Sequence, residues 1–287
     1  MNSTFEMTSY DGSCAVSCNT CFHHCRLGGE QTGLCHARYN HEGKILPANY
    51  GQLTALALDP IEKKPLKMFY PGSMILSAGS YGCNLHCPFC QNYEISQAGA
   101  EISTEYVPPE ELADRAEKMK PQGNIGVAYT YNEPLVCWEY VRDTAKIVRE
   151  KGMKNVIVTN GSVSLPVLEE VLPYTDAMNI DLKGFTEEWY RHLGGDLQTV
   201  KDAITVCAAR CHVELTTLIV PGWNDSSEEI TMLAQWVASV GFDIPLHITR
   251  FFPRFEMENA EATDVEQVCD LARTARKYLR NVFTGNC

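Results

Sequence analysis

The chain has 287 residues, and its 45% hydrophobic content can support one barrel-sized domain with a small appendage. Its formal net charge of −12 argues against a nucleic-acid-binding surface, because affinity for phosphates comes mostly from Lys and Arg. No apolar run approaches the length of a membrane helix, about 18 residues. The first 20 residues also lack the basic start and apolar stretch of a signal peptide. We therefore expect a cytoplasmic protein with no nucleic-acid partner and no membrane partner.

The thirteen cysteines indicate metal binding rather than disulfides, since the chain is long and carries no recognisable secretion signal. They form two dense groups and five scattered positions. The scattered cysteines lie mostly in apolar helical patterns, where a free cysteine is usually a small buried hydrophobic residue. These five are Cys137, Cys207, Cys211, Cys269 and Cys287.

The order of predicted elements divides the chain into two parts. Residues 1–72 read as a small Cys-rich module with short strands, broken by Gly and Pro. In residues 73–287, short apolar runs alternate with helical patterns, which predicts an α/β fold, a partial (β/α)6 barrel with a parallel sheet. The predicted barrel strands are residues 74–80, 125–130, 155–160, 177–182, 212–220 and 244–249. The predicted helices are residues 109–119, 135–151, 165–172, 186–193, 199–210, 226–240 and 264–280.

Unusual polar residues follow these strands. In parallel α/β folds the ligand site forms at the carboxyl ends of the strands, so we expect these residues to converge on one face. They are, in strand order, Cys83, Cys87 and Cys90; Tyr131, Asn132 and Glu133; Asn160; Asp181 and Lys183; and Arg250.

The loop after the first barrel strand has the pattern C-x3-C-x2-C, formed by Cys83, Cys87 and Cys90. Four-iron clusters are normally held by four thiolates, so three cysteines imply either a distant fourth ligand or an iron open to substrate. Structural zinc usually takes paired C-x2-C units, and the bacterial ferredoxin run is C-x2-C-x2-C. The spacing in this loop fits neither pattern well.

Residues 80–93 (SYGCNLHCPFCQNY) resemble the cluster loop of the radical S-adenosylmethionine (SAM) superfamily. With residues 129–134 (YTYNEP), 159–161 (TNG) and 181–183 (DLK), the chain resembles the pyruvate formate-lyase activating enzyme branch. Further motifs resemble the radical SAM member of the AMMECR1/Memo-associated (AmmeMemoRadiSam) group, and this resemblance covers nearly the whole chain. These motifs are residues 18–35 (C-x2-C-x3-C-x9-C), 59–66 (DPIEKKPL), 71–73 (PGS) and 247–251 (HITRF).

The resemblance implies that Cys83, Cys87 and Cys90 hold a [4Fe-4S] cluster whose fourth iron chelates SAM. One electron would then cleave SAM to methionine and a 5′-deoxyadenosyl radical, which removes hydrogen from a substrate. Because reduction of a sulfonium requires a low cluster potential, a flavodoxin or ferredoxin partner is implied.

The same resemblance assigns the SAM-binding residues. Tyr131, Asn132 and Glu133 match the Gly-Gly-Glu-Pro loop, whose acid holds the amino group of SAM, although a glutamate here also suits a helix N-terminus. Phe89 is placed against adenine, or it simply fills the core. Asn160 suits the ribose or carboxylate of SAM, but Asn-Gly is also a common turn.

Four residues of the later strands complete the expected site. Asp181 and Lys183 point to the same face of a strand, and a buried pair of this kind needs pairing or a ligand. In the activating-enzyme branch the matching residues imply a monovalent cation site beside SAM. His247 and Arg250 have opposite phases, so only one should face the site: Arg250 could clamp a carboxylate or phosphate, whereas His247 could equally be a core residue.

Cys18, Cys21, Cys25 and Cys35 supply four thiolates, the number for a closed zinc site and for an auxiliary iron–sulfur cluster. The C-x2-C spacing and nearby histidines favour zinc, while Cys14 is one cysteine more than either site needs. Either metal would stabilise a module of this size.

Three functions compete. The first is radical SAM chemistry on an unidentified substrate of the AMMECR1/Memo-associated system, with AMMECR1-like and Memo-like proteins as partners. The second is activation of a glycyl-radical enzyme. The third, from another class, is a noncatalytic iron–sulfur electron carrier, which would not need Glu133, Asp181 and Lys183 at the strand ends.

Overall fold

The computed structural model describes residues 15–287, so the expectation for Cys14 falls outside the described residues. The strands are β1 (Val16–Ser17), β2 (Arg26–Leu27), β3 (Arg38–His41), β4 (Lys44–Pro47), β5 (Gln52–Leu53), β6 (Ala55–Pro60), β7 (Met74–Gly79), β8 (Glu105–Tyr106), β9 (Asn124–Tyr129), β10 (Lys154–Thr159), β11 (Ala177–Asp181), β12 (His212–Ile219), β13 (Leu246–Arg250) and β14 (Val282–Gly285). The α-helices are α1 (Tyr93–Ser96), α2 (Pro109–Lys118), α3 (Trp138–Glu150), α4 (Leu165–Val171), α5 (Glu187–His192), α6 (Leu197–Ala208), α7 (Ser227–Val240) and α8 (Val265–Ala275).

The main sheet has eight strands in the order β14-β13-β12-β11-β10-β9-β7-β6. Every neighbouring pair from β7 to β14 is parallel, and only β6 runs antiparallel, beside β7. The parallel sheet with helical crossovers predicted from the sequence is therefore confirmed. The six predicted barrel strands all form, each within two residues of its expected bounds.

Two strands of this sheet were missed as barrel strands. Residues 55–60, which the sequence assigned to the short-strand module and not to the barrel, pair along their whole length with β7. The N-terminal module and the barrel thus share the strand β6. The other missed strand, β14, spans only residues 282–285 and follows the last helix without a strong apolar alternation.

Capping side chains mark the N-termini of several helices. Ser226 accepts a hydrogen bond from the N–H of Glu229 at the start of α7, and Asp196 accepts one from Thr199 at the start of α6. Each such cap stabilises a helix by about 1 kcal/mol. Because these caps set where each crossover helix begins, they also set the length of the loops at the carboxyl ends of the strands.

The main core lies between the sheet and its helices. Cys137 and Cys207 are buried in it, as expected for scattered cysteines, while Cys287 is exposed. The N-terminal module contains short hairpins and contacts the barrel through Arg38, whose guanidinium pairs with Glu139 at 2.7 Å. In residues 15–287, no helix combines the length and apolarity needed to cross a membrane.

Gly126 allows close approach of β9 to β10, because a Cβ built on it would lie 1.8 Å from the carbonyl oxygen of Lys154. We expect Gly126→Ala to lower the free energy of unfolding by about 2–3 kcal/mol, since backbone must move to relieve the clash. Urea unfolding under anaerobic, reducing conditions measures this. Gly28→Ala is the matched control, because its Cβ would meet only the flexible end of Gln31. Equal effects of the two substitutions would refute this account of the strand pair.

Candidate active site

A cavity of about 670 Å³ opens at the carboxyl ends of the parallel strands. Its volume lies within the range of about 300–1,000 Å³ that is usual for small-molecule and cofactor sites. Eleven of the twelve residues predicted for the cluster and SAM site line it. They are Cys83, Cys87, Phe89, Cys90, Tyr131, Asn132, Glu133, Asn160, Asp181, Lys183 and His247.

Hydrogen bonds hold the cysteine loop in place. Some come from a side chain outside the loop, and one forms within the loop. Asn132 donates from Nδ2 to the carbonyls of Tyr81 and Gly82, at 3.0 Å each, and thereby ties the loop after β7 to the loop after β9. The Cys83 thiol accepts from the N–H of Leu85 at 3.4 Å. These contacts explain why an Asn side chain, rather than Gly, suits position 132.

Burial favours the neutral form of two thiols of this loop, those of Cys83 and Cys87. Burial raises the pKa of the Cys87 thiol to about 11, although the charge of Lys183 opposes the shift. Burial, and then the charge of Glu133, raise the pKa of Cys83 well above its ordinary value. Thiols in such surroundings ionise readily only when a metal supplies the compensating charge.

Glu133 is almost completely buried, with 2% of its surface exposed, and bridges two strand ends. Its Oε1 accepts from the Leu135 N–H at 3.0 Å and the Thr159 hydroxyl at 2.8 Å, while its Oε2 accepts from the Asn160 N–H at 2.7 Å. Burial raises its pKa to about 7 despite these donors. Because a carboxylate oxygen can accept two bonds, Oε2 keeps one acceptor position for a ligand.

Asn160 is mainly a bracing residue. Its Nδ2 donates to Asn84 Oδ1 at 2.9 Å and lies 3.6 Å from the Cys83 sulfur, and its Oδ1 accepts from the Ser162 N–H. The side chain thus links the end of β10 to the cluster loop. Its predicted contact with SAM stays a prediction, although the residue lines the cavity.

Tyr131 adopts a left-handed backbone conformation with φ of 76°, at a position where the related motif has glycine. Its hydroxyl donates to Asp59 Oδ2 at 2.7 Å, and the buried Lys64 lies 4.6 Å above its ring while also pairing with Asp59. Its carbonyl accepts from Asn92. The 59–66 motif therefore holds Tyr131 in place, a role that the sequence alone did not reveal.

Phe89, Asp181 and Lys183 form one wall of the cavity. Lys183, two residues after Asp181 at the end of β11, pairs through its Nζ with Asp181 Oδ2 at 3.0 Å. Burial would lower the pKa of Lys183, but the charges of Asp181 and Cys87 raise it. Phe89 stacks on the buried Trp189, with ring centroids 5.8 Å apart. Its ring therefore both packs in the core and lines the cavity.

His247 lines the cavity, and the buried Glu214 orients it: Oε2 of Glu214 lies 2.7 Å from His247 Nε2. Arg250 was wrongly expected at the cofactor site. Its guanidinium turns away, donating from Nε to the carbonyl of Thr263 and stacking on Phe252 at 4.7 Å. The opposite phases of the two residues along β13 account for this difference. Sequence reasoning missed Glu214, although an acid within the apolar run of β12 was a usable signal.

The four cysteines of the N-terminal module lie near one another. Burial raises the pKa of the Cys35 thiol, repulsion from Cys18 and Cys25 adds to the shift, and the N–H groups of Ala37 and Arg38 oppose it. Among residues 15–287, no three His, Cys, Asp or Glu side chains converge on a point where a single ion would sit. This applies to the three cysteines of the cluster loop as well as to the N-terminal four.

Residues 78–234, more than half of the chain, match the family model of the Radical SAM superfamily. The chain belongs to this superfamily and is an enzyme of this class. Its sequence is 36% identical to an uncharacterized protein of Methanocaldococcus jannaschii over 94% of this chain and 81% of that protein. It is 28% identical to pyruvate formate-lyase 1-activating enzyme of Escherichia coli over 56% of this chain and 67% of that enzyme.

A solved structure shares the fold. Streptococcus suis SuiB bound to S-adenosylmethionine superposes with a TM-score of 0.59 at 15% sequence identity, covering 74% of this chain and 52% of SuiB. The superposed part is thus about half of SuiB.

The described residues fit the cofactors that the superfamily implies, a [4Fe-4S] cluster and SAM. Three thiols of one loop face a cavity large enough for a nucleoside cofactor. In that cavity the open acceptor of Glu133 suits an ammonium group, and Phe89 offers an apolar ring.

The buried Glu214 should make the fold sensitive to acid. Burial would raise its pKa, but bonds from His212, His247 and the N–H groups of Lys67 and Met68 lower it from 4.5 to about 2. Its contribution to stability is therefore present above pH 4.5 and is lost as the pH falls towards 2.

We expect Glu214→Gln to reduce the free energy of unfolding by about 3 kcal/mol at pH 7, with the difference from wild type shrinking below pH 4.5. Urea titrations at several pH values measure this, with the exposed Glu169→Gln as control. A difference that stays constant from pH 7 to pH 3 would contradict the assignment.

Proposed function

We propose that this protein binds a [4Fe-4S] cluster through Cys83, Cys87 and Cys90 and cleaves SAM reductively to abstract hydrogen from a substrate of the AMMECR1/Memo-associated system. The observation that carries the proposal is the shared cavity, which is lined by these three thiols together with Glu133 and Lys183. An electron carrier has no need for a buried acid and a partly buried lysine beside its cluster. A cytoplasmic location is part of the proposal.

The bound cofactors supply one chemical capability: transfer of one electron to the sulfonium of SAM, which breaks a C–S bond and yields methionine and a 5′-deoxyadenosyl radical. The chain supplies placement. Glu133 would accept from the amino group of SAM, Phe89 would contact adenine, and Asn160 would keep Cys83 in position. These groups are buried, so they would keep water away from the bound cofactors. This protection is required because a reactive radical would otherwise react with solvent.

The substrate would occupy the part of the cavity formed by the later strands. Thr216 of β12 and His247 and Thr249 of β13 line the cavity there and offer polar groups. Glu62, Lys63 and Lys67 also line it, and Lys63 pairs with Asp59, so Lys67 is the cation that an acidic group of a substrate would meet. The AMMECR1-like and Memo-like partners would supply this substrate or consume its product, and a flavodoxin or ferredoxin would supply the electron.

Activation of a glycyl-radical enzyme is the second candidate function. The resemblance to proteins named pyruvate formate-lyase activating enzymes supports it. In that case the cavity would have to admit a backbone glycine of a protein rather than a small molecule. The monovalent cation expected beside Asp181 belongs to either function, and Asp181 Oδ1 is the oxygen that the pair with Lys183 does not use.

The cluster assignment predicts that replacing any one of Cys83, Cys87 and Cys90 by Ala abolishes SAM cleavage. Anaerobic reconstitution, then dithionite and SAM, with quantification of 5′-deoxyadenosine, measures this. Cys211→Ala is the matched control, since Cys211 is half-buried and lies outside the cavity. An intact cluster in the wild type without 5′-deoxyadenosine would favour the noncatalytic carrier instead.

Glu133→Gln should weaken SAM binding about tenfold to hundredfold at pH 8, because a hydrogen bond to a charged acceptor is lost. Burial raises the pKa of Glu133 to about 7, so at pH 6 most of the wild-type carboxyl is neutral, like the amide. The ratio of the two dissociation constants should therefore fall about tenfold from pH 8 to pH 6.

Equilibrium binding of SAM to the reconstituted proteins gives this ratio, and comparing the two proteins at each pH cancels the titration of SAM itself. The exposed Glu170→Gln is the control, since it lies on α4. A ratio that does not change with pH would show that Glu133 does not contact the amino group.

A further inference from the structure

We propose that Cys18, Cys21, Cys25 and Cys35 bind a second metal centre through four thiolates, and that this centre braces the loop that carries Cys83. A zinc ion and an iron–sulfur cluster both accept four thiolates, so the shared ligand chemistry defines the site. The sulfur atoms do not converge on one point in residues 15–287, so the metal would draw them together.

Backbone N–H groups face two of the four sulfur atoms. The N–H of His23 faces the Cys21 thiol, and the N–H of Ala37 faces the Cys35 thiol, each two residues after its cysteine. The cluster loop repeats this arrangement with Leu85 after Cys83. Such N–H groups stabilise negative sulfur, and hydrogen bonds to sulfur are a regular feature of thiolate–metal sites.

Two residues next to these cysteines have left-handed backbone conformations. His24, directly before Cys25, has φ of 44°, and His36, directly after Cys35, has φ of 58°. Left-handed conformations are costly for residues other than glycine and persist only where their surroundings enforce them. The N–H of Cys18 also donates to the carbonyl of Cys25 at 2.9 Å, which keeps these two ligand segments together.

The strands of the N-terminal module are short. Strands β1 and β2 have only two residues each, and β3 and β4 have four. Elements this short bury little apolar surface, and small modules of this kind usually depend on a metal or disulfides. All four cysteines are free thiols, and three of them are buried.

The proposed centre lies directly against the cluster loop. His23 Nε2 lies 2.8 Å from the carbonyl oxygen of Asn84, and the Asn84 side chain lies close to the Cys21 thiol. On the other side of Cys83, a Cβ on Gly82 would lie 2.5 Å from the carbonyl oxygen of Cys35. The backbone on both sides of Cys83 therefore rests on the cysteine segments of the module.

The test separates the two centres. In a Cys83→Ala/Cys87→Ala/Cys90→Ala variant of the full chain, elemental analysis should find about one zinc or about two to four irons per chain, with iron–sulfur absorption in the iron case only. Adding Cys25→Ala to this variant should remove that metal, whereas adding Cys211→Ala should not. A triple variant that folds by circular dichroism but holds neither metal after anaerobic reconstitution would overturn the proposal.

The bracing role has its own readout. In the otherwise wild-type chain, Cys25→Ala should increase hydrogen–deuterium exchange over residues 82–86 at least tenfold, while Cys211→Ala leaves it unchanged. If Cys25→Ala does not fold, hydrogen–deuterium exchange of the Cys83→Ala/Cys87→Ala/Cys90→Ala variant with and without a chelator gives the same comparison. Loss of the metal without faster exchange in this segment would contradict the bracing role.

Discussion

The site depends on one buried carboxylate. Glu133 joins the end of β9 to the end of β10 through the Thr159 hydroxyl and the Asn160 N–H, at 2.8 and 2.7 Å. Asn160 then bonds Asn84, next to Cys83. Leaving a buried carboxylate without donors would cost several kcal/mol, so this network fixes the relative position of the cluster loop and two strand ends.

The same network sets the electrostatics of the cavity. The thiols of the cluster loop and a buried acid gather potential negative charge, and the partly buried Lys183 faces Cys87 and Asp181. Such an arrangement favours ligands that bring positive charge, as iron and a sulfonium do. The chain has a net charge of −12, but the few charged and titratable groups of the cavity determine which ligands bind there.

Most strands and helices of the barrel, and most residues that line the cavity, could be predicted from the sequence. Strands such as β10, with its apolar run, and the helix beginning after Ser226 have strong local signals. The residues at strand ends follow from the rule that parallel strands place their carboxyl ends together, which brought Cys83, Glu133, Asp181 and Lys183 to one cavity.

The rest depends on contacts distant in sequence. The Tyr131–Asp59 hydrogen bond and the Glu214–His247 pair join separate segments, and no spacing along the chain encodes them. The strand β14 is too short to carry a periodic signal. His247 and Arg250 were both expected at the site despite their opposite phases; the buried Glu214 orients His247, whereas Arg250 donates to the carbonyl of Thr263.

The central claim is that SAM binds directly to a cluster held by Cys83, Cys87 and Cys90. Electron–nuclear double resonance on the reduced, reconstituted protein with SAM labelled with ¹⁵N at its amino group tests this most directly. The account predicts a hyperfine coupling between the cluster and the labelled nitrogen. A cluster spectrum that SAM does not change, with no such coupling, would contradict it.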